Sequence, residues 1–213
     1  MIDSEAVARA WVADLPDADD AAMARLDRLI QMLTAENERQ NLVSAASIGE
    51  VWQRHIADSA QLLGHVPRGT SSPWLDLGTG AGFPGLVIAA LRPDIEVVMV
   101  ESRSRRVEWL ERVVAELGLA RARVAGDRLE KVQTLTAGVI SARAFAPLNR
   151  LLELSVRFST ERTIWLLPKG RSARQELDEL RGWDHLFHVE QSLTDGEAGV
   201  IVGLLNGRKG RKT

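Results

Sequence analysis

The sequence predicts an α/β protein: an open, mainly parallel seven-stranded sheet with helices on both faces, preceded by an N-terminal helical segment. Three observations predict it. From Trp74 onward, short apolar or β-branched runs alternate with runs of helical period. The first of those runs ends in Asp76-Leu77-Gly78-Thr79-Gly80-Ala81-Gly82-Phe83-Pro84-Gly85, which joins a strand to a helix. Residues 1–67, by contrast, show helical spacing throughout.

In chain order, Met23, Leu26, Leu29, Ile30 and Leu33 recur at three-and-four spacing after the acidic start Asp19-Asp20, which reads as a helix. A second helix is expected from Ser47 to Leu63, with Ser47 as N-cap and Glu50 three residues on. Ile48, Val51, Trp52, Ile56, Ala60 and Leu63 would form its buried stripe. Within it Arg54 and Asp58 are spaced for an i, i+4 ion pair, and His55 and Ser59 share a face. Gly64, Pro67 and the turn-rich residues 68–73 close the segment.

Trp74–Leu77 is the first strand, Leu86–Leu91 a helix, and Ile95–Val100 a strand covered on both faces. Arg103–Leu117 carries Val107, Leu110, Val113, Val114 and Leu117 on one side, with Gly118 as its stop. Arg121–Ala125, Val139–Ala142 and Thr163–Leu167 read as strands, and Leu148–Phe158 and Ser172–Leu180 as helices. His185–Gln191 and Val200–Leu205 are the closing strands. The expected division is a helical segment 1–67 packed on the sheet, a sheet domain 68–207 and a basic tail 208–213. In such a fold the ligand sits at the carboxyl ends of the strands, near the first.

Composition narrows the chemistry. The chain has no cysteine, which excludes disulfides, thiolate metal sites and cysteine nucleophiles. His55, His65, His185 and His188 lack metal-ligand spacing, so no metal is expected. There is no run of about 18 apolar residues and no basic-then-apolar leader, so a cytoplasmic protein without a membrane span is expected. Net charge is −2, but residues 1–50 hold ten acids against four bases, and Arg208, Lys209, Arg211 and Lys212 crowd the end. Such a tail suits a polyanion or a solvated terminus.

The glycine loop carries the strongest signal. Alternate glycines permit positive φ and let a ligand approach bare backbone. Gly80, Gly82 and Gly85 fit the dinucleotide fingerprint, with Glu101 at the required distance for a ribose. Read from Asp76, the same loop is the Asp-x-Gly-x-Gly-x-Gly of S-adenosylmethionine methyltransferases, with Asp76 near the amino-acid end of that cofactor. Asp76 favours the second reading, since a carboxylate beside a pyrophosphate is unfavourable. A purely structural turn is the third. Past the third strand, 126–130 lies where an adenine would pass. Past the fourth, Arg143 could bind the cofactor or an RNA phosphate, and Phe145 could stack on a base. Past the fifth, Lys169 and Arg171 would join Arg143 as a cationic edge for a phosphate backbone.

The segments 41–44 (Asn-Leu-Val-Ser), 54–59 (Arg-His-Ile-Ala-Asp-Ser), 76–85, Glu101-Ser with Arg105-Arg106-Val107, 139–146 and 166–170 occur in this order. Together they resemble the bacterial 16S rRNA (guanine-N7) methyltransferases, the glucose-inhibited division protein B family, over about residues 35–205. The resemblance implies a Rossmann-like S-adenosylmethionine-dependent fold and methyl transfer to a guanosine N7 of 16S ribosomal RNA, leaving S-adenosylhomocysteine. It implies Gly78, Gly80 and Phe83 at the methionine end, Glu101 on the ribose, Leu129 and Glu130 at the adenine, and Arg143 past the fourth strand. Lys169, Arg171 and His55 are the candidate RNA or guanine contacts. The expected protein is a monomer acting on 16S RNA, within the small subunit or an assembly intermediate. The alternatives are an NAD-dependent oxidoreductase on a similar sheet and a non-catalytic ribosome-associated RNA-binding protein.

Overall fold

A computed structural model describes residues 1–70 and 73–210. Ser71 and Ser72 of the turn-rich joint, and Arg211, Lys212 and Thr213 of the tail, lie outside the described residues.

The strands are β1 (Trp74–Leu77), β2 (Val97–Val100), β3 (Ala122–Ala125), β4 (Val139–Ser141), β5 (Ile164–Lys169), β6 (Trp183–His185), β7 (His188–Gln191) and β8 (Gly199–Arg208). They form one sheet in the order β3-β2-β1-β4-β5-β8-β6, with β7 also on β8. The first five run parallel, and β8 pairs antiparallel with β5, β6 and β7. Asp76 is level with Met99 on one side and Ser141 on the other. Strand order reverses at β1, which opens a crevice at its carboxyl end. Every residue of β1 and β2 is buried, because helices cover both faces.

The expected single strand His185–Gln191 is split, so the sheet has eight strands in seven positions. The cause is Gly203 of β8, at φ 148°. A Cβ there would lie 2.4 Å from the Leu186 carbonyl oxygen. Leu186 and Phe187 lie against this bare backbone, and the Leu186 amide still donates to the Leu204 carbonyl at 2.9 Å. The register is the same on both sides, His185 opposite Leu205 and His188 opposite Val202. Arg208 closes β8, its guanidinium 4.4 Å from the Trp183 ring and 3.1 Å from Glu153.

The chain begins with α1 (Glu5–Ala13) and α2 (Asp20–Asn37). Asp19 caps α2 by accepting from the Ala22 amide at 2.7 Å. Leu26, Leu29 and Leu33 lie on one face and are fully buried. That face meets α5 (Gly85–Leu91), where Arg25 donates to the Ala90 carbonyl at 3.0 Å.

The helix expected over 47–63 is not continuous. Ser44, not Ser47, is the cap, its hydroxyl accepting from the Ser47 amide ahead of the short α3 (Ala45–Ile48). A π-helical turn covers Trp52–Ala57, then come α4 (Asp58–Ala60) and a 3₁₀ turn (Gln61–His65). The Glu5 carboxylate accepts from the Trp52 and Gln53 amides at 3.0 and 2.8 Å. It draws those N–H groups off the α ladder, and the turn widens. Glu50 binds Arg54 instead of a helix start. The remaining helices are α6 (Ser104–Glu116), α7 (Leu148–Ser155) and α8 (Ala173–Asp178).

Candidate active site

The loop after β1 is built around Asp76. This carboxylate is fully buried. Its Oδ2 accepts from the Gly85 amide at 2.9 Å and its Oδ1 from the Ser141 hydroxyl at 2.7 Å. Ser141 in turn accepts from the Trp74 indole at 2.8 Å. Burial raises the carboxyl's pKa, opposed by the Thr79 and Ser141 hydroxyls, the Gly85 amide and the charge of Arg143. Both Asp76 oxygens are thus taken by protein donors, where the sequence reading set the residue near the amino-acid end of a cofactor. It holds the loop from beneath. The Thr79 amide donates to the Val100 carbonyl at 3.0 Å, and the Trp109 indole to the Ala81 carbonyl at 3.0 Å.

The glycines divide by role. Gly78 and Gly80 both have φ 62°. A Cβ on Gly80 would make only ordinary contacts, with the Arg106 guanidinium at 3.5 Å and the Gly78 carbonyl at 3.8 Å, so there is room beside this backbone. At Gly82 and Gly85 a Cβ would strike Leu86 at 2.2 Å and Met99 at 2.6 Å, so these two serve packing. This arrangement suits a neutral or cationic nucleoside better than a pyrophosphate. The Gly85 N–H, which a phosphate would use in the dinucleotide reading, is already spent on a buried carboxylate.

Glu101 follows β2 and is buried. Its Oε1 accepts from the Ser102 and Arg103 amides at 2.7 and 2.9 Å, and its Oε2 lies 3.7 Å from Arg106. Leu129 and Glu130 open a 3₁₀ turn after β3, the first buried and the second exposed. Arg157 fixes this turn by donating to the Leu129 and Val132 carbonyls. Gly78 and Gly80, Glu101 and the 129–130 turn thus line the carboxyl ends of β1, β2 and β3 in succession.

Phe83 is buried, with His55 stacked on it at 4.8 Å between centroids and Arg143 5.4 Å from its ring. Arg143 does not point to an open edge. It donates to the Arg54 carbonyl at 3.1 Å, to Asp58 at 3.3 Å and to His55 Nδ1 at 3.2 Å. Asp58 thus takes Arg143 rather than Arg54, and it also accepts from Gln61 at 2.9 Å and Thr194 at 3.0 Å. This network ties the π turn, the β4 end and the β7–β8 loop into the rim of one cleft of about 1310 Å³.

Lys169 and Arg171 also differ from expectation. Lys169 is buried, donating to the Ala146 carbonyl at 2.7 Å and pairing with Glu176 at 2.9 Å. Arg171 is exposed and paired with Glu197. The edge expected to meet a phosphate backbone carries three ion pairs: Arg143 with Asp58, Lys169 with Glu176 close by in sequence, and the exposed Arg171 with Glu197. Glu176, which sequence reading missed, also accepts from the Leu148 amide and the Ser172 hydroxyl, each at 2.8 Å. Burial pushes its carboxyl up, yet the Lys169, Ser172 and Leu148 hydrogen bonds hold it below the ordinary value. No spacing near 176 announces this role.

An arginine only donates, so His55 Nδ1 accepts and the proton sits on Nε2. That Nε2 is buried without a partner among the described residues. Burial, then Arg143 and Arg54, lower the His55 pKa to about 3. Between there and the ordinary 6.5 the unfolded chain binds a proton that the folded chain refuses, so folding stability rises with pH across that window. Denaturant midpoints should therefore fall from pH 7 to pH 5 by more in the parent than in His55→Asn. Equal falls would mean His55 is not held neutral.

This sheet order, with a glycine loop at the reversal point and an acid at the end of the second strand, defines the Rossmann-like methyltransferase architecture. A methyltransferase from Aquifex aeolicus, described as S-adenosylmethionine-dependent, matches with TM-score 0.57 at 15% identity, covering 79% of this chain and 97% of that one. An RNA methyltransferase from Salinibacter ruber, solved with S-adenosyl-L-homocysteine, matches with TM-score 0.53 at 13% identity, covering 74% and 94%. At the level of sequence, residues 22–194 match the family model GidB, rRNA small subunit methyltransferase G. The chain belongs to that family. Ribosomal RNA small subunit methyltransferase G of Erythrobacter litoralis is 61% identical over 204 residues, 95% of this chain and 97% of that one. Its namesake in Novosphingobium aromaticivorans is 56% identical, over 95% and 89%.

Proposed function

We propose that this protein transfers a methyl group from S-adenosylmethionine to N7 of a guanosine in 16S ribosomal RNA, presented in the small subunit or its assembly intermediate. The observation that carries the reading is the pair of positive-φ glycines, Gly78 and Gly80, at the end of β1, on a loop whose far end the buried Asp76 holds at Gly85. When bound there, the cofactor supplies an electrophilic methyl on a sulfonium. Gly78, Gly80 and Phe83 would hold its methionine end, Glu101 its ribose through Oε2, and the 129–130 turn its adenine.

N7 of neutral guanine carries no proton, so its lone pair displaces the sulfonium group directly and no general base is required. The site agrees with that demand: His55, beside the cleft, is neutral with its Nδ1 occupied. What the chain must supply is alignment in a place poor in water. Arg143 and Lys169 contribute by fixing the loop after β4 rather than by touching phosphate. Lys169→Ala should keep S-adenosylhomocysteine affinity within about threefold but slow RNA methylation about 100-fold, the cost of a small misplacement. Unchanged single-turnover rates would remove Lys169 from the site.

Mass spectrometry of 16S fragments, incubated with the protein and isotope-labelled S-adenosylmethionine, tests the reading. One labelled methyl on a guanine, released as N7-methylguanine on mild depurination, is expected. Reduction of a nicotinamide cofactor, or RNA binding without transfer, would overturn it.

A further inference from the structure

The wall between the glycine loop and the cleft is the segment that leaves β4, and Phe145 belongs to both spaces. Its ring lies directly on Gly78: a Cβ built there would be 2.3 Å from Cδ2 and 3.1 Å from Cε2. The same residue lines the cleft and is partly exposed. Chain on either side is clamped, by Arg143 to Asp58 and His55, by Lys169 to the Ala146 carbonyl, and by Glu176 to the Leu148 amide. Between the clamps Ala144 has φ 50°, a left-handed conformation that a residue with a Cβ adopts only at a cost. Two fixed ends thus hold one strained residue and one aromatic ring against the loop's bare glycine.

We propose that Phe145 serves two ligands in turn. In the conformation seen here its ring covers Gly78; a sulfonium nucleoside seated on the loop turns it into the cleft, where it stacks on the acceptor base. This rests on the reading of the glycine loop as the cofactor site. The argument is steric first. A ring within van der Waals contact of the Gly78 backbone and a ligand lying on that backbone cannot share the space. The clamps allow little travel of the main chain, so the ring moves by side-chain rotation and relaxation at Ala144. The open volume beside it is the cleft. Aromatic rings are general stacking partners for an unpaired base. A consequence follows for thermodynamics. If the first ligand uncovers the platform for the second, the two bind cooperatively, and each raises the other's affinity by the same factor.

The chain has four phenylalanines, at 83, 145, 158 and 187. Protein labelled with 4-fluorophenylalanine should give four ¹⁹F resonances, the Phe145 signal being the one lost in Phe145→Leu. S-adenosylhomocysteine should move that signal toward the solvent-exposed position while Phe158 and Phe187 stay put. A 16S fragment added afterwards should shift it again, and added without S-adenosylhomocysteine should not. By calorimetry the fragment should tighten S-adenosylhomocysteine about tenfold in the parent and not at all in Phe145→Leu, which should bind S-adenosylhomocysteine alone at least as well. A Phe145 signal unmoved by bound S-adenosylhomocysteine, or coupling retained in Phe145→Leu, overturns the proposal. A protein that takes up no S-adenosylhomocysteine overturns the cofactor reading and this proposal with it.

Discussion

Gly78→Val is expected to abolish cofactor binding, weakening S-adenosylhomocysteine by at least about 100-fold in calorimetry, close to 3 kcal/mol. Two costs add. Gly78 sits at φ 62°, where a β-branched residue is a genuine outlier. Its new side chain would also fall on the Phe145 ring, 2.3 Å from the first carbon, in the space the ligand needs. Gly80 separates the two costs. It has the same φ, yet an added Cβ would meet nothing nearer than Arg106 at 3.5 Å. Gly80→Ala should therefore carry mainly the backbone penalty of about 1–2 kcal/mol, and lose about tenfold in affinity. If both variants lose equally, backbone conformation alone governs the loop. If Gly78→Val binds normally, the loop is not the cofactor site.

What could be read from the residues was what depends on neighbours in sequence. β2 is legible because burial on both faces demands an unbroken apolar run, β1 because its short apolar stretch ends in the glycines, and the glycine loop because positive φ at 78 and 80 favours glycine. The α2 stripe is legible because Leu26, Leu29 and Leu33 need only one partner surface. The parts that escaped depend on residues far apart in the chain. Glu5 breaks the helix at Trp52 from 47 positions away. Gly203 splits the strand at Leu186, and nothing in 185–191 itself signals a break. Along the expected cationic edge, Arg143 is paired with Asp58, 85 positions away, Lys169 with Glu176 and Arg171 with Glu197. A sequence gives the count of charges, but only the fold decides which of them are already neutralised. Asp76 was legible as part of the loop but the direction of its carboxylate was not, since spacing does not say which way a side chain turns.

That direction makes Asp76 the second position of large effect. Its two oxygens receive the Gly85 N–H and the Ser141 O–H, and Ser141 itself accepts from the Trp74 indole. Asp76→Asn preserves shape and removes charge, but an amide offers one accepting atom and one donating group. If its oxygen stays with Ser141, its NH₂ meets the Gly85 N–H, donor against donor. If it turns over, its oxygen serves the Gly85 N–H, its NH₂ faces Ser141, and the Ser141 O–H loses its acceptor. Either way one buried donor is left without an acceptor, at about 1–3 kcal/mol. The penalty falls where the loop enters α5, so Gly78 and Gly80 lose their fixed orientation as well. Asp76→Asn should thus lower the unfolding free energy by about that amount and weaken S-adenosylhomocysteine together with it. Ser141→Ala makes the contrast, since it removes the O–H while leaving the carboxylate on Gly85. It should cost stability, through the stranded Trp74 indole, with a smaller loss of affinity. Were Asp76→Asn to keep full stability yet lose the ligand, the carboxylate would have to reach the ligand itself, and the account of a loop held from beneath would be wrong.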